Sequence, residues 1–209
     1  MKRKVGILIS GRGSNMQALL AAAAAPDYPA EVALVLSNVA DAPGLALAAA
    51  AGVATAAIPH KPFGRDRAAH EAALIERLEA AGVEYVCLAG YMRVLTPLFV
   101  RHYAGRMLNI HPSLLPGLEG VDTHARALAA GARLHGCTVH LVTEDLDAGP
   151  ILAQAAVPVL PGDTPDTLAA RVLVQEHRLY PAALAALISG APHWAAETAV
   201  LANPLPPVA

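Results

Sequence analysis

Lys4-Val5-Gly6-Ile7-Leu8-Ile9-Ser10-Gly11-Arg12-Gly13-Ser14-Asn15 runs from a short apolar strand through a glycine turn into the start of a helix. Such a junction aims backbone N–H groups and the positive end of a helix dipole at one point, where a phosphate fits. It is not the dinucleotide fingerprint, because the third glycine would fall at Met16 and the acid expected after the second strand is replaced by Ser37 and Asn38. Nor is it a P-loop, since no Gly-Lys-Ser/Thr follows. The same glycines would equally serve a tight turn that binds nothing. The loop alone does not choose between the two.

Outward from this junction, β-branched apolar runs alternate with Ala/Leu-rich stretches of helical period. Strands are expected at 4–9, 31–36, 55–58, 85–89, 107–110, 138–142 and 151–157. Helices are expected at 15–25, 44–51, 67–81, 97–103, 124–130 and about 166–188. Ser14 would cap the first helix, Gly82 and Gly131 would stop two others, and Thr164-Pro165-Asp166 would open the last. Alternation through the first two thirds implies an α/β, Rossmann-like fold: a mostly parallel central sheet of about seven strands with helices on both faces. No repeat or linker divides it. Residues 1–190 read as one catalytic domain and 191–209 as a Pro-rich tail, extended on the surface or partly disordered.

Composition narrows the function. The chain has 209 residues, 15 Lys+Arg against 17 Asp+Glu, and a net charge of -2. A near-neutral chain has no polyelectrolyte character, so neither nucleic acid nor an anionic membrane is its expected partner. Lysine occurs only at Lys2, Lys4 and Lys61. Cys87 and Cys137 lie in apolar runs and read as reduced core thiols of a cytoplasmic protein. The basic start imitates a signal peptide, but its apolar run ends at Ser10. The uncharged stretch 42–59 holds Pro43, Gly44 and Gly52, whereas a membrane span needs about 20 strongly apolar residues in a row.

Two polar side chains interrupt the end of a strand in Met107-Leu108-Asn109-Ile110-His111-Pro112. Alternation puts Asn109 and His111 on one face, at the carboxyl end where open α/β sheets bind ligands. A carboxamide beside an imidazole suits a developing oxyanion. Alternatively, His111 ends the strand and Asn109 satisfies the backbone of the loop 112–116. Further on, Glu144-Asp145-Leu146-Asp147-Ala148-Gly149 leaves a strand as an acidic loop, and a carboxylate near His111 would favour its charged form. Cys137 and His140 do not make a zinc site, because strand parity sends them to opposite faces. Neither Ser14 nor Ser113 sits in a nucleophile elbow. Asn, His and Asp remain as the chemical set, with no metal.

These pieces resemble the phosphoribosylglycinamide formyltransferase family of folate-dependent enzymes in purine synthesis. The resemblance is carried by Leu8-Ile9-Ser10-Gly11-Arg12-Gly13-Ser14-Asn15, Leu88-Ala89-Gly90-Tyr91-Met92-Arg93-Val94-Leu95, Leu108-Asn109-Ile110-His111-Pro112-Ser113-Leu114-Leu115-Pro116, and Gly136-Cys137-Thr138-Val139-His140 leading to Asp147-Ala148-Gly149. It implies Asn109, His111 and Asp147 as the catalytic trio. It implies glycinamide ribonucleotide on Gly13, Ser14, Asn15 and Glu176. It implies the co-substrate 10-formyltetrahydrofolate along Met92, Arg93, Val94 and Leu95, with Arg67, Asn109 and the loop 143–147 nearby. Small molecules would be the only partners, in a monomer or homodimer. Gly117-Leu118-Glu119 departs from the family, where a basic or small residue and then an aromatic are common; the mobility of that loop is expected to differ, but not the chemistry. His124, His135 and His140 are given no chemical role, and His124 and His140 read as packing.

Two alternatives stay in view. A formyltetrahydrofolate deformylase would share the trio but is expected to carry a regulatory domain ahead of the first strand, which here begins near residue 4. A non-catalytic nucleotide-binding module would leave the Asn-x-His strand end and the Asp loop without purpose. A transfer-RNA formyltransferase would be expected to need a further carboxyl-terminal domain.

Overall fold

The crossover pattern read from the sequence is built as expected in a computed structural model, which describes residues 1–190 and the pair Val200–Leu201. The strands are β1 (Arg3–Ile9), β2 (Ala30–Ser37), β3 (Thr55–Ala57), β4 (Tyr85–Leu88), β5 (Met107–His111), β6 (Leu134–Leu141), β7 (Ile151–Pro158) and β8 (Val200–Leu201). The helices are α1 (Ser14–Ala23), α2 (Pro43–Ala50), α3 (Arg67–Ala80), α4 (Pro97–His102), α5 (Thr123–Ala129) and α6 (Pro165–Ser189). A 3-10 turn at Lys61–Phe63, carrying Pro62, was not foreseen.

Sheet order is β3-β2-β1-β4-β5-β6-β7-β8. Strands β1 to β5 pair in parallel, and β6 runs antiparallel to both β5 and β7. Because the central strands of the parallel half are covered on both faces, β1 from Val5 and β4 from Val86 are continuously buried and apolar rather than alternating. One layer packs α1, α5 and α6 through Met16, Leu19, Ala127, Val172 and Tyr180. The other packs α3 and α4 through Leu74, Leu78, Phe99 and Tyr103. Tyr180 carries a polar group deep inside: its hydroxyl lies 3.0 Å from the carbonyls of both Leu88 and Leu108, binding α6 to the end of β4 and the start of β5.

Two local expectations change. Ser14 does not cap α1; it is the first helical residue, and Gly13, with φ 71°, is the cap position. No side chain satisfies that end of the helix, so its N–H groups face outward, which favours the anion reading over the bare turn. Strand β6 begins four residues earlier than its apolar run suggests, at Leu134, because pairing with β7 extends through His135 and Gly136. Gly136 is required there: a Cβ would run into the Ala155 carbonyl. Gly82 and Gly131 do end helices, with φ of 72° and 66°, and Thr164 opens α6 with a reciprocal Thr164/Thr167 cap. Of the expected tail, Val200–Leu201 adds a short strand parallel to β7; the remainder lies outside the described residues. No described helix is long and apolar enough to cross a membrane.

Candidate active site

The carboxyl ends of β1, β4 and β5 converge with the loop after β6, and the expected catalytic side chains meet there. Asp147 lies at the centre. Its Oδ2 is 3.4 Å from His111 Nδ1, and its Oδ1 is 3.7 Å from His140 Nε2. All three side chains are buried, with 8% or less of their surface exposed. Asp147 adopts φ 53°, a left-handed conformation that a non-glycine residue holds only when its surroundings demand it.

His140, assigned to packing on sequence grounds, belongs to this group. Antiparallel pairing of β5 with β6 sets it directly opposite Asn109. Its Nδ1 lies 2.9 Å from the Leu141 carbonyl and must donate there. That leaves Nε2 as an acceptor, which takes a hydrogen bond from Asn109 Nδ2 at 3.2 Å. Burial lowers the His140 pKa, keeping the ring neutral and this tautomer in place. The Asn109 amide is thereby turned with its nitrogen toward His140, and its second N–H remains for another acceptor.

His111 is differently placed from the free donor that an oxyanion site calls for. Its Nε2 donates to the Leu118 carbonyl at 2.9 Å. The two ring nitrogens thus face different partners, Nε2 the Leu118 carbonyl and Nδ1 the Asp147 carboxylate. The departing segment 117–120 therefore lies over the His111–Asp147 pair: Leu118 sits at φ 59°, and the Gly120 N–H donates to Asp147 Oδ2 at 3.0 Å. Beneath it, Thr138 Oγ1 donates to Ser113 O at 2.7 Å and accepts from Leu115 N at 3.1 Å, while Gln154 donates to Leu115 O. A second histidine pair supports the same loop. His124 Nδ1 and His135 Nε2 are 3.1 Å apart, and burial, with His124 alongside, pushes His135 down to about 4.

The expected nucleotide residues also come together. Asn15, on the first turn of α1, donates through Nδ2 to Glu176 Oε2 at 2.6 Å, across 161 residues of sequence. Both are buried, and burial raises the Glu176 carboxyl against the lowering effect of Asn15. On the donor side, Arg67 Nη1 donates to Val94 O at 3.2 Å. Met92 and Val94 are 71% and 56% exposed, apolar side chains presented to solvent by an anchored loop, with Arg93 and Leu95 half-buried between and beside them. Among the described residues no group of three or more His, Cys, Asp or Glu is arranged to hold a metal ion. Cys137 packs in the core on the α6 side, away from His140, and burial pushes the Cys87 thiol up to about 12.

Comparison with known proteins identifies the family. Residues 3–184 match the family model described as formyl transferase. The chain is 49% identical over 175 residues to the phosphoribosylglycinamide formyltransferase of Escherichia coli (strain K12), covering 84% of this chain and 82% of that one. The crystal structure of phosphoribosylglycinamide formyltransferase from Brucella melitensis superposes with a TM-score of 0.87 at 57% identity, covering 91% and 97% of the two chains. The trifunctional purine biosynthetic protein adenosine-3 of Bos taurus is 49% identical over 190 residues, and the chain spans 19% of its length.

Proposed function

The chain belongs to the formyl transferase family, and on that premise we propose that it moves the formyl group of 10-formyltetrahydrofolate to the amine of glycinamide ribonucleotide. The observation that carries this reading is the buried Asp147 carboxylate set between His111 and the His140–Asn109 pair, at the sheet end that also holds the open helix terminus of α1.

Each part has a task. The ribonucleotide phosphate rests on the N–H groups at Gly13, Ser14 and Asn15, with Glu176 accepting from a ribose hydroxyl. The folate lies along Met92, Arg93, Val94 and Leu95, near Arg67. The amine attacks the formyl carbon, negative charge grows on the formyl oxygen, and the bond from that carbon to the folate nitrogen breaks as a proton passes from the amine to that nitrogen. Asn109 donates its second N–H to the oxygen. His111 donates from Nε2 once the Leu118 carbonyl gives way, each donor contributing on the order of a few kcal/mol in the transition state. Asp147 stabilises the imidazolium and carries the proton, directly or through water. Holding both substrates side by side supplies much of the remaining acceleration.

Residues 1–190 serve as the catalytic domain and 191–209 as an appended tail. A monomer or a homodimer suffices, since one chain holds the whole set, and the expected compartment is the cytoplasm. The test is to mix protein, 10-formyltetrahydrofolate and glycinamide ribonucleotide and follow tetrahydrofolate formation. Turnover that needs the ribonucleotide supports transfer. Equal turnover without it makes the protein a hydrolase, and none at all sinks both enzymatic readings.

A further inference from the structure

Ser10 follows β1 and opens the glycine loop, yet its side chain faces the loop 91–96. Its Oγ accepts from the Met92 N–H at 2.8 Å, across 82 residues of sequence, and donates to Asn38 Oδ1 at 2.6 Å. The Ser10 N–H donates to Gly90 O at 3.2 Å. Asn38, at the end of β2 and 4% exposed, has its nitrogen 3.2 Å from His60 Nδ1. With Met92 using a lone pair of the hydroxyl, the hydroxyl hydrogen is left for Asn38 Oδ1, and the Asn38 amide is turned with its nitrogen to His60. The far end of the 91–96 loop is held separately: the buried Glu71 carboxylate accepts from both Thr96 N and Thr96 Oγ1. Ser10 is thus the fixed point at the near end.

We propose that Ser10 is a positioning residue, oriented by Asn38, that sets the folate-facing loop in register with the phosphate-facing loop. This rests on the formyl-transfer reading above. The chemistry is that of one neutral hydroxyl bridging two main-chain segments and touching neither substrate, so its loss degrades folate alignment rather than the proton-transfer machinery.

The experiment is steady-state kinetics on the full chain, varying each substrate in turn, for wild type, Ser10→Ala, Ser10→Thr, Asn38→Ala and Ser37→Ala. Losing one such hydrogen bond predicts a rise of about five- to tenfold in the KM for 10-formyltetrahydrofolate in Ser10→Ala. The ribonucleotide KM stays within twofold, and Ser10→Thr restores the wild-type value. Asn38→Ala moves the folate KM the same way and decides the matter if Ser10→Ala does not fold. Ser37, fully buried at the same sheet end with its hydroxyl accepting from Val39 N, is the control whose loss leaves both KM values unchanged. Unchanged folate KM in both test variants, or both KM values rising together, overturns the proposal while leaving formyl transfer intact. Absence of transfer by the wild type overturns the underlying reading instead.

Discussion

Replacing Asp147 by Asn keeps the shape of the side chain and removes its charge. The Gly120 N–H still needs an acceptor, so the amide oxygen of the variant turns to it and the nitrogen takes the other position, next to His140. What is lost is attraction between a carboxylate and the imidazolium of His111, whose nitrogen is 3.4 Å from Oδ2. At an effective dielectric near 20, suited to side chains this buried, that attraction is about 5 kcal/mol. Expressed wholly in the transition state, it corresponds to a loss of roughly three to four powers of ten in kcat. General acid–base assistance by a positioned group covers a similar range, about 10²–10⁴-fold, so the two estimates agree. The assay is single-turnover formyl transfer under saturating substrates, with equilibrium binding of each substrate measured alongside. Binding is expected to stay within a few-fold of wild type while the rate falls by at least a hundredfold. A variant that turns over within threefold of wild type would refute the role given to Asp147.

Other consequences follow from the same geometry. His140→Ala frees the Asn109 amide to rotate, so kcat should fall by about ten- to a hundredfold, with less effect on either KM; an unchanged kcat would show that Asn109 needs no such support. Gly136→Ala forces a methyl group against the Ala155 carbonyl between β6 and β7, and should cost about 3 kcal/mol, or roughly 10 °C in Tm, read by thermal unfolding. Acid should destabilise the fold between about pH 6.5 and 4. His135 is held down to about 4, and His124 and His140 are lowered too, so over this window the unfolded chain binds protons that the native state refuses. Stability contributed by these rings is complete above their unfolded value and is lost as pH falls. Glu176, raised by burial, acts oppositely, since its native carboxyl keeps a proton that the unfolded one releases as pH rises. Denaturant midpoints at pH 7.5 and 5 measure the balance, and His135→Gln should flatten the acid slope; a midpoint no lower at pH 5 contradicts the assignment.

Much of this protein is local in origin and so was open to reading from the chain. Runs such as Val5–Ile9 and Met107–His111 are apolar over strand length, the helical stretches keep their period, and Gly82, Gly131 and Thr164 punctuate them by conformational preferences that need no partner. Asn109 and His111 stood out because strand alternation puts a carboxamide and an imidazole on one face at the carboxyl end of an apolar strand. The grouping of Asp147 with His111 came through the family resemblance and not from strand direction, because antiparallel β6 ends opposite Leu108, near the start of β5. Tertiary structure alone decided the remainder. Strand β6 is antiparallel to β5, and that register, which no local preference encodes, sets His140 against Asn109 rather than among core side chains. The Leu118 carbonyl on His111 is a main-chain group, and its position depends on the path of a loop, not on the identity of Leu118. Ser10 and Met92, Asn15 and Glu176 lie 82 and 161 residues apart, and only the folding of distant segments onto one sheet end makes them partners. Local sequence determines which elements form and where polar groups are available; hydrogen bonds between distant segments determine which polar atom each of those groups meets.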